Sequence, residues 1–126
     1  MIKVPEFLRS IFSDPRFHFI AQHRMVGSVD GVRNGIALAT KSPKFDTFAL
    51  NMLDNEKVLE AKRNGKIDQA FVVAARRNGS WQLEYCVAVE AEEFQTVLAR
   101  QPFQTGKYGD FWTLYPSAFS DDEWEM

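Results

Sequence analysis

The sequence predicts an α+β fold with a mainly antiparallel sheet of about five strands, formed by two hairpins and a C-terminal strand and covered by helices. Two observations lead to this prediction. Two stretches alternate with a period of two around an Asx-Gly dipeptide, and segments with helical spacing lie between and beside them. The predicted order is α-ββ-α-ββ-α-β, with every strand pair joined locally. The 126 residues fit a single domain over 1–126, in which 117–126 form an acidic C-terminal tail.

The first hairpin is predicted at GSVDGVRNG, where Asp30-Gly31 and Asn34-Gly35 are both possible turns. A short amphipathic helix near the N-terminus precedes it, and period-two alternation starts near residue 16. A turn at Asp30-Gly31 pairs Met25 with Ile36. With that register the hairpin has one apolar face and one basic face.

A second helix is predicted over residues 42–64, between the two hairpins. A Ser-Pro pair provides its start signal, and apolar residues then recur at intervals of three and four. Asn64-Gly65 is a C-cap signal that closes the helix. At the dipeptide 54–55 the sequence allows two alternatives, one continuous helix or two helices divided at this point.

The second hairpin is predicted at Asn78-Gly79, the strongest short-range hairpin signal in the chain. With these two residues as the loop, Ala74 faces Leu83 and the alternation gives one apolar face. The segment AFVVAA is apolar on both alternations, which favours a central position in the sheet with both faces covered.

The last elements are an amphipathic helix and a final strand. The segment EAEEFQTVLARQ places Ala91, Phe94 and Leu98 on one stripe and begins with acidic residues, as helices often do. Gly106 and Gly109 then bracket a turn, and DFWTLY reads as the final strand.

Composition places the chain among ordinary globular proteins, with 45% hydrophobic and 25% charged residues. The single cysteine, Cys86, excludes an intrachain disulfide and favours a reducing compartment, so a cytoplasmic location is expected. The N-terminal segment does not have the pattern of a signal peptide, and no apolar run is long enough to span a membrane. No membrane association is therefore expected.

Basic side chains form the first candidate for a functional surface. The net charge is −2, but residues 1–44 carry seven Lys or Arg against three Asp or Glu, whereas 80–126 carry two against nine. This asymmetry is compatible with a basic binding surface, and equally with attraction between the two halves of one fold. Alternation places Arg24, Arg33 and Lys41 on the non-core face of the first hairpin, while Arg76 and Arg77 lie at the tip of the second. The sequence therefore favours a non-catalytic interaction module that binds a macromolecular partner, either an acidic protein surface or a nucleic acid.

An alternative hypothesis rests on carboxylates around the second hairpin. An acid, a hairpin and a second acid follow one another from Asp68 to Glu84, which resembles in outline the PD-(D/E)xK class of metal-dependent nucleases. This resemblance implies that Asp68 and Glu84 bind a metal ion. The lysine of the pattern is replaced by Cys86, so a lysine from elsewhere, such as Lys66, would have to take its place. The resemblance covers only this hairpin and assigns the chain to no family.

No cofactor is expected on the first hypothesis. The two histidines, His18 and His23, lie five residues apart on a predicted strand, and alternation therefore points them to opposite faces. No other spacing of His and Cys matches a zinc site. The glycines of GSVDGVRNG precede a strand rather than a helix, which is typical of hairpin loops and not of phosphate-binding loops.

Overall fold

The computed structural model describes residues 25–29, 31–77 and 83–119, and the side chains of residues 31–74 and 88–119. The elements in chain order are β1 (Met25–Val29), β2 (Val32–Lys41), β3 (Phe48–Asn51), α1 (Met52–Arg63), β4 (Gln69–Arg77), β5 (Leu83–Glu90), α2 (Ala91–Leu98), β6 (Phe103–Gly106), β7 (Gly109–Leu114) and a 3₁₀ turn (Pro116–Phe119). The predicted N-terminal helix lies outside the described residues.

The strands form one mixed sheet with the order β5-β4-β2-β3-β7-β6, and β1 pairs with β2 off this path. The α+β class and the mostly antiparallel pairing are confirmed. The predicted count of about five strands and the order α-ββ-α-ββ-α-β are wrong, because β3 and β6 lie in segments predicted to be helix or loop. Within the described residues, no helix has the length and apolarity needed to cross a membrane.

The pairing of β2 with β4 is parallel and extends from Asn34 opposite Gln69 to Ala39 opposite Ala74. Parallel neighbours need a crossover connection, which here consists of β3 and α1. The prediction that every strand pair is joined locally is therefore wrong. The pairing of β3 with β7 is also distant in sequence.

The first hairpin has the predicted register, with Met25 opposite Ile36 and Val29 opposite Val32. Gly31 has a φ angle of 79°, a left-handed conformation that glycine adopts without steric cost. This hairpin was predictable because its turn dipeptide and its alternation both specify the same register.

The register of the second hairpin differs from the prediction by four residues, since Ala74 lies opposite Val87 and not opposite Leu83. The ladder also shifts at Arg76 and Arg77, and residues 78–82 lie outside the described part of the chain. Because the difference is an even number, the same side chains still share a face. The expected central position is wrong, because β5 ends the strand order. Burial on both faces of β4 is confirmed, with Val72 and Val73 both at 0% exposure.

The predicted helix over 42–64 is shorter in the structure and is preceded by a strand. Phe48 and Leu50 alternate into the core at 0% exposure because β3 pairs with β7, which outweighs the helical spacing. The helix begins at Met52, where the Oδ1 of Asn51 accepts hydrogen bonds from the N–H groups of Leu53 (2.8 Å) and Asp54 (3.1 Å). It is continuous through residues 54–55, which decides between the two alternatives in favour of a single helix. Its predicted C-cap at residues 64–65 is confirmed.

Helices α1 and α2 contribute to one core with the sheet. The buried members of this core are Ala37, Ala39, Phe48, Leu50, Val58, Ile67, Ala70, Val72, Ala74, Val89, Ala91, Phe94, Leu98, Leu114 and Phe119. One polar residue, Asn55, is also buried at 3% exposure, and its amide exchanges hydrogen bonds of 3.0 and 3.2 Å with the amide of Gln95 on α2. This pairing satisfies the buried amide and connects the two helices.

The C-terminal aromatic segment is partly folded onto the core. The ring of Phe119 is 1% exposed, stacks on Phe94 at a centroid distance of 5.1 Å and meets Phe48 edge-on at 6.0 Å. Phe119 belongs to the stretch 117–126 that was predicted as a tail, so at least the start of that stretch packs against the domain. The remainder, from residue 120, lies outside the described residues.

We expect Phe119→Ala to lower the free energy of unfolding by about 3–5 kcal/mol, because it removes a buried ring and its two aromatic contacts. Urea unfolding followed by circular dichroism measures this loss. Tyr115→Ala is the matched control, since Tyr115 is 58% exposed and its removal should cost well under half as much. Equal losses in the two variants would contradict the packing described for Phe119.

Candidate functional site

The face predicted to be basic is covered along its centre. Gly35, Ala37 and Ala39 of β2 lie on it, and the two alanines are at most 1% exposed within the core. At Gly35 a Cβ atom would lie only 2.6 Å from the Cδ1 of Ile67 and 3.1 Å from the Cγ2 of Val58, so the crossover approaches β2 very closely here. The structure therefore does not provide a continuous basic surface along β2.

Arg33, at one end of this face, is bound within the fold. Its Nε and Nη2 donate to the two carboxylate oxygens of Asp68 at 3.2 and 3.1 Å, and Nη2 also donates to the carbonyl of Gly65 at 3.0 Å. The main chain of Arg33 donates to the same carboxylate at 2.8 Å, and its carbonyl accepts from the N–H of Asp68 at 2.8 Å. Hydrogen bonds from the Arg33 side chain and backbone lower the pKa of Asp68.

Lys41, at the other end of β2, holds the loop that leads to β3. Its Nζ donates to the carbonyls of Ser42 and Phe45. Ser42 Oγ, in turn, accepts from the N–H groups of Lys44 and Phe45 at 3.2 Å each. Lys41 lies eight positions after Arg33, which corresponds to roughly 26 Å between their backbones along a strand. Arg24 and the side chains of Arg76 and Arg77 lie outside the part of the chain that the structure describes, and the backbone of Arg76 and Arg77 ends β4.

The residues of the nuclease hypothesis are not brought together. Asp68 immediately precedes β4, whereas Glu84 lies in β5 beside the register shift opposite Arg76 and Arg77, at the far end of β4. These backbone positions are roughly 26 Å apart. Asp68 is paired with Arg33, and Lys66 is exposed in the loop after α1. In the part of the chain that the structure describes, no group of three or more His, Cys, Asp or Glu is placed to hold a metal ion.

The structure points instead to β6, a strand that the sequence did not predict. It ends the strand order, and all four of its residues are exposed. Phe103 on this strand is 62% exposed and Tyr108 in the adjoining turn is 83% exposed. Scattered exposed apolar residues are normal on proteins, but here two large aromatic side chains flank an edge strand.

The main-chain groups of β6 divide into two sets. Gly106 lies opposite Gly109 across a two-residue turn, and the N–H of Thr113 donates to the carbonyl of Pro102 at 3.3 Å. Antiparallel pairs alternate between hydrogen-bonded and non-hydrogen-bonded, so the even-numbered residues 102–106 use their main-chain groups on β7. The N–H and C=O groups of Phe103 and Thr105 consequently point away from β7, toward an edge at which none of the described strands pairs.

Side chains hold the β6–β7 hairpin in place against the rest of the sheet. Thr105 Oγ1 donates to the carboxylate of Asp110 at 2.8 Å across the two strands. Asn51, which caps α1, also donates from Nδ2 to the carbonyl of Tyr108 at 3.2 Å, so one residue orders both the helix and the turn. The ammonium of Lys107 lies 5.6 Å from the centre of the Tyr108 ring.

Sequence reasoning missed this edge because FQTG contains one apolar residue and shows no alternation. The signal that could have found it is the pair of glycines at 106 and 109, which was correctly read as a turn. A turn that leads into a strand favours a strand before it as well.

Comparison with known protein families, curated proteins and solved structures gives no match for this chain.

The Arg33–Asp68 pair should make stability depend on pH in a defined direction. Because the pKa of Asp68 is lowered in the fold, its contribution is present above the ordinary carboxyl pKa of about 4 and is lost as the pH falls through the lowered value. Asp68→Asn should therefore lower the melting temperature near pH 7, and the difference from the wild type should shrink in acid. Glu56→Gln controls for the loss of one exposed negative charge. If the melting temperatures of the two variants depended on pH in the same way, the Arg33–Asp68 pair would not be the cause of the pH dependence.

Asn51 allows the helix cap and the hairpin contact to be separated. Asn51→Asp keeps an oxygen that accepts from the helix N–H groups but cannot donate to the Tyr108 carbonyl, whereas Asn51→Ala removes both functions. We expect Asn51→Ala to cost about 1 kcal/mol or more, as N-cap removal does. Asn51→Asp should cost less, yet speed amide hydrogen exchange in β6 and β7. Unchanged exchange in Asn51→Asp would show that the Asn51–Tyr108 contact does not order the hairpin.

Proposed function

We propose that this protein is a non-catalytic interaction module that binds an extended segment of a partner protein as an added strand along the free edge of β6. The observation that supports this most is the state of β6 itself. It is the last strand of the order, its four residues are exposed, and the main-chain groups of Phe103 and Thr105 point outward. An edge of this kind is a template for a further strand, a known mode of peptide recognition.

Such binding needs an edge that is already ordered. Main-chain hydrogen bonds alone add little in water, because each replaces a bond to solvent. The cross-strand bond of Thr105 and the contact of Asn51 with the turn fix the hairpin before a partner arrives. Pre-organisation of this kind lowers the entropy lost on binding, and the exposed rings of Phe103 and Tyr108 provide apolar area for the partner.

A protein partner is favoured over a nucleic acid. Binding to nucleic acid depends chiefly on Lys and Arg that neutralise phosphates. The basic residues of β2 make contacts within the fold, and no residue of β6 is charged. The sequence hypothesis of an interaction module is thus retained as a proposal, with the binding surface moved from the basic face to the edge. The single Cys86 in an apolar strand favours a reducing compartment, so a cytoplasmic setting forms part of the proposal.

A single position tests the proposal at the level of the main chain. Proline at residue 105 removes an N–H that points away from β7, together with the side-chain bond to Asp110. Proline is tolerated on an edge strand in that orientation. Thr105→Val is the matched control, because it removes the same bond to Asp110 but keeps the N–H. Random peptides displayed on phage would be selected on the wild type, and the affinities of enriched peptides compared among the three proteins.

We expect the enriched peptides to bind Thr105→Val slightly more weakly than the wild type, because the bond to Asp110 that helps to order the hairpin is lost. They should bind Thr105→Pro more weakly than Thr105→Val by roughly tenfold to a hundredfold. An unpaired main-chain group in a bound interface costs about 1–3 kcal/mol, which corresponds to this range. Melting temperatures of the two variants establish that the fold is retained. Equal affinity for both variants, or the absence of enriched peptides, would contradict strand addition at β6.

A further inference from the structure

We propose that the segment bound at β6 is an uncharged strand whose apolar side chains contact both faces of the sheet, at an odd spacing along the partner chain. This inference rests on the proposed strand addition and specifies its partner. It follows from the positions of two aromatic rings, Phe103 and Phe111, relative to the free edge, and from the absence of charge on β6.

On the helix-covered face, the ring at the edge is that of Phe103. Phe103 lies opposite Trp112, which lies opposite Leu50, so the three side chains share one face. Leu50 is fully buried, Trp112 is half-buried against the core, and Phe103 is 62% exposed. The apolar face of the sheet thus continues outward to its last strand, where none of the residues that the structure describes buries Phe103. A partner side chain beside Phe103 would extend this face by one more residue.

On the opposite face, the ring at the edge is that of Phe111. Phe111 lies opposite Gln104, and a Cβ built on Gly106 would be 2.8 Å from its Cε1 atom. The ring therefore lies diagonally over β6 and fills the space that a side chain at residue 106 would take. It is half-buried. A partner side chain on this face would contact the ring at the level of residues 104–106.

The spacing follows from strand geometry. Side chains alternate between the two faces, and Phe103 is separated from residues 104 and 106 by an odd number of positions. A strand that contacts both rings must therefore carry apolar residues at i and i+1 or at i and i+3. The alternating spacing of i and i+2, which is typical of a strand with one buried face, reaches only one ring.

The lack of charge follows from the composition of the edge. None of the four residues of β6 is charged, whereas edge strands commonly carry charges that oppose pairing. The neighbouring carboxylate of Asp110 already accepts a hydrogen bond from Thr105. Beside the rings of Phe103 and Phe111, a charged partner side chain would lose hydration to an apolar surface, whereas an apolar side chain would gain contact area.

Two synthetic peptides of identical composition test this inference: Ser-Thr-Val-Thr-Thr-Val-Thr-Ser, with the odd spacing, and Ser-Thr-Val-Thr-Val-Thr-Thr-Ser, with the even spacing. Titrations followed by the amide resonances of residues 103 and 105 give the affinities. We expect the odd-spaced peptide to bind the wild type about fivefold or more tightly, as the burial of one further apolar side chain implies. Phe103→Thr and Phe111→Thr should each abolish this preference, and Tyr115→Thr, an exposed aromatic outside the hairpin, should retain it.

The outcomes separate this inference from the proposed function. Equal affinities of the two peptides, both reduced by Thr105→Pro, would overturn the two-face inference and leave strand addition in place. Affinities unchanged by Thr105→Pro would overturn strand addition itself. No detectable binding of the odd-spaced peptide to the wild type would overturn the two-face inference, and replacement of its valines by lysine should abolish binding.

Discussion

The parallel pairing of β2 with β4 is the constraint on which the rest of the structure depends. It runs over six residue pairs and forces the chain between these strands to cross over the sheet. The crossover consists of β3, which pairs with the end of β2, and α1, which packs on the face that holds Gly35. A Cβ at residue 35 would lie 2.6 Å from the Cδ1 of Ile67 and 3.1 Å from the Cγ2 of Val58, so these side chains would have to shift. Glycine at this position therefore allows the crossover to pack closely on β2.

The cations that look free in the sequence are used to fix this crossover. Lys41 lies where the chain leaves β2, and its ammonium binds two carbonyls of the loop before β3. Arg33 lies at the start of β2 and binds Asp68 and Gly65, where the chain returns from α1 to β4. Both ends of the crossover are therefore held by a basic residue of the strand it crosses. The Nζ of a third cation, Lys62, lies 3.5 Å from the Oε1 of Glu90 and also contacts the carboxylate of Glu92. These contacts join α1 to the start of α2.

Predictions from sequence succeeded where the determining contacts are local. The register of the first hairpin depends on a turn of a few residues, and α2 depends on a stripe of apolar residues within eight positions. The same reasoning failed over 42–51, because Phe45 and Phe48 also fit a helical spacing and the competing strand has only four residues. Its pairing with β7 joins segments about sixty residues apart, and no local pattern shows such a contact.

The candidate site shows the same limit. A basic side chain at an alternating position is equally consistent with a binding face and with a clamp on a crossover, and only the fold decides between them. The whole topology also determines which strand ends the sheet. β6 lies at an edge because β7 pairs with β3 on one side and with β6 on the other. The two ends of the sheet also differ in kind. β5 ends one side with a run of apolar residues, whereas β6 ends the other with four exposed residues whose hairpin is tied to the cap of α1. Order in the hairpin is thus coupled to order in the crossover helix, because Asn51 contacts both, and this coupling is the pre-organisation that the proposed strand addition needs.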